Sequence, residues 1–148
     1  MATLFAAGPI GLVSLVLTAI CAAAAAAARR LLGLITIEGN SMSPTFADGD
    51  RILIRLGSGA AGGRLRPGAV VVFRNPCPGS AADPRWLVKR VAAIEGTPVP
   101  PDIRPATGDH GVVPAGCIVV RGDNPTSLDS RQFGYVARRD VLGVALRS

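Results

Sequence analysis

The sequence predicts a mostly β protein: an N-terminal transmembrane helix followed by a compact, antiparallel, barrel-like β domain. Three observations predict it. The first 28 of the 148 residues carry no charge. From residue 34 onward, short β-branched or alternating apolar runs follow one another. Clusters of Gly, Pro, Asp and Asn separate those runs, and the pattern contains no amphipathic helix of useful length. The expected division is an anchor over 1–33 and a β domain over 34–148.

The anchor comes first. Gly8 to Ala28 reads GPIGLVSLVLTAICAAAAAAA, and Arg29 and Arg30 come directly after it. At ~1.5 Å per residue a helix of this length reaches about 31 Å, close to the hydrocarbon thickness of a bilayer. A cleavable secretory signal is the competing reading, because the alanine run offers A-x-A sites. It lacks a basic stretch ahead of the apolar one. A buried core helix is the bland alternative, but core helices rarely run this far without a charge. The positive-inside rule, applied to Arg29 and Arg30 alone, places the downstream β domain in the cytoplasm.

The strands come next, in order. LITIEG, RILIRL, AVVVF, WLVKRVAAI, CIVVRGD and VLGVALR are the predicted strands. Gly57 to Gly63 reads as a flexible loop, and Gly96 to Gly111, with its four prolines, as an extended, variable connector. His110 lies in that connector and reads as a loop residue. Trp86 reads as a core or interfacial anchor, and Phe133 and Tyr135 as packing residues.

Composition narrows the function. The net charge is +6, carried by fifteen arginines and one lysine. The basic residues are scattered and aromatic ones are few, so no stacking platform for nucleic acid is visible. A basic domain beside an anionic membrane is the simpler expectation. Cys77 and Cys117 are far apart in sequence, with one disulfide between them conceivable in an oxidising compartment. No His/Cys cluster has metal-ligand spacing, so no metal is expected.

The one lysine, Lys89, stands out because arginine serves everywhere else. Lysine can lose its proton when desolvated, whereas arginine does not. In WLVKRV, strand alternation puts Leu87, Lys89 and Val91 on one face and Trp86, Val88 and Arg90 on the other. If the first face points into the core, the amine is left neutral and can act as a general base. A snorkelling edge-strand lysine is the alternative. Two serines lie in EGNSMSPTF. Pro44 forces Ser43 out of helical conformation and makes it a turn former. Ser41 comes after a predicted strand, where a turn exposes its hydroxyl and presents its own N–H to an oxyanion; shaping that turn is the blander role.

GNSMSPTF, ADGDRILIR, RPGAVVVF, WLVKRVAAIEG and RGDNPTSLDSRQFG, in this order, resemble the successive boxes of the type I signal peptidase family, in a short actinobacterial-like or Gram-positive-like form. The resemblance covers nearly all of 34–148. It implies a Ser/Lys-dyad endopeptidase that cuts secretory precursors after small residues on the outer side of the cell membrane. Ser41 matches the nucleophile, Lys89 the general base, and Ser127 the hydroxyl that orients the lysine. Met42 succeeds the nucleophile as the family pattern has it. Asp123, Asp129, Ser130 and Arg131 match residues that hold the active-site frame, with Asp123 a partner for Arg90. The backbone N–H of Ser41 would serve the oxyanion.

Three positions depart from the pattern. Gly39 stands where some members supply a hydroxyl oxyanion donor, Ala69 where aspartate is usual, and Pro125 where arginine is common. The implied partners are signal peptides of secretory pre-proteins and the lipid bilayer, with no nucleic acid and no cofactor. Cleavage after translocation requires the β domain outside, against the arginine count. Two alternatives remain at this point: a dedicated maturation peptidase of the same clan serving one leader, and an inactive, membrane-tethered module that binds extended peptides.

Overall fold

The structure, a computed structural model, describes residues 9–57, 65–80, 82–108 and 110–147, the side chains of 9, 10, 12, 28 and 30 excepted. The loop expected at Gly57 to Gly63 therefore lies, beyond Gly57 itself, outside the described residues. The chain divides into two units, 1–31 and 32–148. The first contains α1 (Pro9–Leu31), a 23-residue helix. Its apolar side chains Val13, Leu15, Val16, Leu17 and Ile20 are exposed. Side chains are described without interruption only over 13–27 of it. Among the described residues no helix is long and apolar enough to cross a membrane.

The second unit is built on β1 (Leu32–Thr36), β2 (Arg51–Leu56), β3 (Val70–Arg74), β4 (Trp86–Ile94), β5 (Cys117–Arg121), β6 (Val136–Ala137) and β7 (Val141–Ala145). Together they form a seven-stranded sheet in the order β1-β2-β7-β3-β4-β5-β6, and every neighbouring pair is antiparallel. β1 begins at Leu32, two residues before the predicted run. Leu32 and Gly33 pair with Arg55 and Ile54, so residues assigned to the anchor belong to the sheet. β6, two residues long, escaped the sequence pattern because it is too short to show alternation. The same holds for the four-residue helix α2 (Ser130–Phe133).

Alternation divides the core. On one side Val71, Phe73, Val91, Ile118, Val120, Val136, Val141 and Val144 pack together. On the other, Val72 meets Ile37, Ile52 and Ile54. A third cluster gathers Ala93, Val99, Ile103, Val113 and Val119. Val99 and Ile103 come from the stretch expected to be an extended connector. That stretch instead bridges back at Pro98↔Val112 and winds through a short 3₁₀ turn at Arg104–Thr107, burying Thr107. Its prolines hide a buried apolar set that has no regular period. Phe133 packs on the first cluster and Tyr135 on the third. His110 lies in the connector, its ring 6.4 Å from that of Tyr135. Trp86 is not a core residue: 36% of it is exposed. Cys77 and Cys117 are both free.

Candidate active site

β4 carries the site, and its two edges explain where. Trp86–Arg90 pairs with β3 on one side. On the other side β5 engages β4 only from Arg90 onward. Along Trp86–Lys89 that edge has no strand partner among the described residues. β1, at the end of the sheet, has an open edge of its own. A cavity of about 470 Å³ lies between these segments, lined by Leu34–Glu38 on one wall, by Trp86, Leu87 and Val88 on another, and by Ser41.

Lys89 is 2% exposed. It stands opposite Val71 in the β3–β4 register and so shares the face of the first core cluster. It takes part in none of the ion pairs formed by the described residues. Burial pushes its amine below the ordinary lysine value of 10.5. Asp129 pulls in the opposite direction, Arg131 pushes it down further, and Asp123 opposes again.

Arg90, the next residue, points to the other face. Its Nε and Nη2 donate to the two carboxylate oxygens of Asp123 at 2.8 and 2.6 Å, and its Nη1 to the Gly68 carbonyl at 2.8 Å. The hydrogen bond from Arg90 holds the Asp123 carboxyl below the usual carboxylate range, against the effect of burial. The Arg90–Asp123 pair is thus present, and it fixes the turn after β5 to β4.

Ser41 is half-buried in the turn after β1. Upstream, Ile37 N–H donates to the Asp50 carbonyl, and Gly49 N–H donates back to the Ile37 carbonyl. Gly39 has φ +80°, and its N–H donates to Asp48 Oδ1 at 2.7 Å. This left-handed backbone suits glycine and costs a residue with a side chain roughly 1 kcal/mol or more. It gives a local reason for the missing hydroxyl at this position. Downstream, Met42 is fully buried and its carbonyl accepts from Phe46 N–H. The Ser43–Pro44 peptide is cis.

The turn after β5 brings the serine segment and the RGDNPTSLDSR segment together. Asn124 N–H donates to the Ser41 carbonyl at 3.1 Å, and Asn124 Nδ2 to the Asn40 carbonyl. A Cβ placed on Gly122 would lie 1.9 Å from Ser127 Oγ and 2.6 Å from the Ser41 carbonyl oxygen. Only a residue without a side chain lets these two serines close on one point. Neither Gly122 nor Asn124 stood out in the sequence; the one signal was their place in RGDN.

Asp129, fully buried, organises the remaining polar groups. Its Oδ2 accepts from Gly122 N–H at 2.9 Å and from Ser127 Oγ at 3.2 Å. Arg131 forks onto both oxygens at 2.9 and 2.8 Å, and Asp129 caps α2 through a reciprocal pair with Gln132. Burial pushes the Asp129 carboxyl up, but the hydrogen bonds from Arg131 and from the backbone of Arg131 and Gly122 outweigh it and keep it ionised. Ser130 Oγ accepts from Val120 N–H, tying α2 to β5. Ala69 is buried in the first core cluster, where an aspartate would bring an unpaired charge among valines.

The family model for signal peptidase, peptidase S26, matches residues 10–102 and 99–147. Signal peptidase IB of Staphylococcus aureus strain COL is 30% identical over 145 aligned positions, covering 73% of this chain and 72% of that protein. The proteins of strains N315 and MRSA252 match to the same extent. This chain belongs to the type I signal peptidase family. Homologues of this kind imply a serine peptidase. The crystal structure of a signal peptidase I from Enterococcus faecalis V583 aligns at 20% identity with a TM-score of 0.42, over 55% of this chain and 97% of that one.

Proposed function

We propose that this chain is a membrane-anchored serine endopeptidase that removes signal peptides from secretory precursors after small residues, with Ser41 as nucleophile and Lys89 as general base. The observation that carries the proposal is the environment of Lys89. It is the chain's one lysine, buried, outside the ion pairs formed by the described residues, and on the strand whose free edge borders the same cavity as Ser41.

An extended precursor segment enters the cavity between the open edges of β1 and β4, adding its backbone to both. The apolar side chains of Leu34, Ile35, Ile37, Leu87 and Val88 line this space and suit small apolar residues near the cut. Neutral Lys89 takes the Ser41 proton as the hydroxyl oxygen attacks the scissile carbonyl carbon. The oxyanion leans on the Ser41 N–H. The Ser127 hydroxyl keeps its proton and donates a hydrogen bond to Asp129, which leaves its oxygen lone pairs free to accept from the lysine amine. Collapse expels the amine of the mature protein, which takes the proton from Lys89. Lys89 then activates water to release the acyl group. No metal or cofactor enters this sequence.

The 23-residue α1, with its exposed apolar side chains, is proposed as the single-pass anchor, and the β domain as extracytoplasmic. The experiment is incubation of the full-length protein in detergent with a pre-protein carrying an A-x-A site. Cleavage by the wild type and its loss in both Ser41→Ala and Lys89→Ala supports the dyad. Undiminished cleavage by either variant overturns it.

A further inference from the structure

The cavity beside Ser41 carries two charges that the proposed chemistry does not use. Glu38 lies three residues before Ser41, and Arg85 lies at the other end of the β4 wall; both line the cavity and both are exposed. Neither belongs to an ion pair formed by the described residues. Arg85 is nonetheless held in place. Its guanidinium sits over the Trp86 ring at 5.6 Å. Its carbonyl accepts from Asn75 N–H at 2.9 Å, and the buried Asn75 side chain donates to the Pro84 carbonyl at 3.1 Å. The preceding turn is closed by Asp83, which accepts from the Gly79 and Ser80 N–H groups. A cation stacked on an aromatic ring and mounted on a braced turn has lost part of its freedom before a ligand arrives, so pairing with it costs less ordering.

We propose that Arg85, seated on Trp86, forms a charge-reading subsite of the precursor groove, which selects an acidic side chain about four residues from the scissile bond. The spacing comes from β4. Arg85 precedes Lys89 by four residues, or about 13 Å at ~3.3 Å per residue, and an extended peptide alongside advances at the same rate. Glu38, at the Ser41 end, gives the groove the opposite sign there. The groove therefore favours precursors with acidic character away from the cut and disfavours it beside the cut. This inference rests on the peptidase reading above.

The test walks a single Asp or a single Lys through the positions flanking the cut of one reference pre-protein, keeping its A-x-A residues. Cleavage by the full-length enzyme in detergent is measured as kcat/KM. Asp at one position about four residues from the cut is expected to raise kcat/KM up to about fivefold, mainly through KM, the range of an exposed ion pair. The gain should shrink as salt is added. Arg85→Glu should transfer the advantage to Lys at the same position, and Glu38→Lys should make acidic residues beside the cut tolerable. A flat scan on an active enzyme overturns this inference alone. So does an Asp preference that survives Arg85→Glu. Failure of the wild type to cut any precursor overturns the peptidase reading and this inference with it.

Discussion

Lys89 and Arg90 are adjacent basic residues on opposite faces of β4, and the protein treats them in opposite ways. Arg90 receives a carboxylate, a backbone carbonyl and partial exposure, everything a permanent charge needs. Lys89 receives valines and joins none of the ion pairs formed by the described residues. The acids nearest to it are already engaged: Asp123 by Arg90, Asp129 by Arg131 and Gly122. Under the proposed mechanism, the amine of Lys89 is made reactive by committing neighbouring counter-charges elsewhere as much as by burying it. The Arg131 cation beside Asp129 also disfavours a proton on Lys89 directly.

The largest test of this contrast exchanges the chemistry of one face for that of the other. Lys89→Arg puts a permanent cation where the proposed mechanism requires a base and should lower kcat by about 10³-fold or more, as severely as Lys89→Ala. A rate assay of the purified variants with one pre-protein decides it.

Next is the point where the two serines close. Gly122→Ala forces apart Ser127 and the Ser41 backbone and should cost about 10²-fold in kcat/KM, since misplacement by ~1 Å is enough for that. Overpacking should also lower stability by about 1–3 kcal/mol, read from chemical denaturation. On the Arg90 face, Asp123→Ala leaves a half-buried guanidinium without its carboxylate. The expected loss is about 1.5–3 kcal/mol of stability, and the same denaturation measurement checks it.

The smallest effect has a definite sign. With its native pKa depressed, Lys89 holds fewer protons folded than unfolded across the window below 10.5. Wild-type stability therefore rises with pH from the depressed value up to 10.5, each unit of depression being worth about 1.4 kcal/mol. Lys89→Met removes that penalty. The variant should be more stable than wild type at and below the depressed pKa, with the advantage fading as pH approaches 10.5. Denaturation midpoints across this range show the trend.

Much of this was legible in the sequence, because it depends on strict alternation. RILIRL buries every second residue, and WLVKRV separates its two basic residues by the same rule. The family resemblance singled out the serines, the lysine and the acidic frame as candidates. What could not be read depends on contacts between distant segments. Gly122 matters because Ser41, eighty-one positions earlier in the chain, passes beside it. Arg85 matters because Asn75 braces its turn. Val99 and Ile103 are core residues in a proline-rich stretch where neither period applies. β1 began earlier than expected because Leu32 and Gly33, placed with the anchor, pair with Arg55 and Ile54 of a distant strand, a pairing no local pattern shows.

A single lysine makes the central claim directly measurable. Protein labelled with ¹³C at lysine Cε yields one side-chain lysine resonance, and its shift against pH titrates Lys89 alone. The expected midpoint lies clearly below 10.5 and moves upward when Arg131 is replaced by Gln and its opposing charge is removed. A midpoint at the ordinary lysine value, unmoved by that substitution, would contradict it.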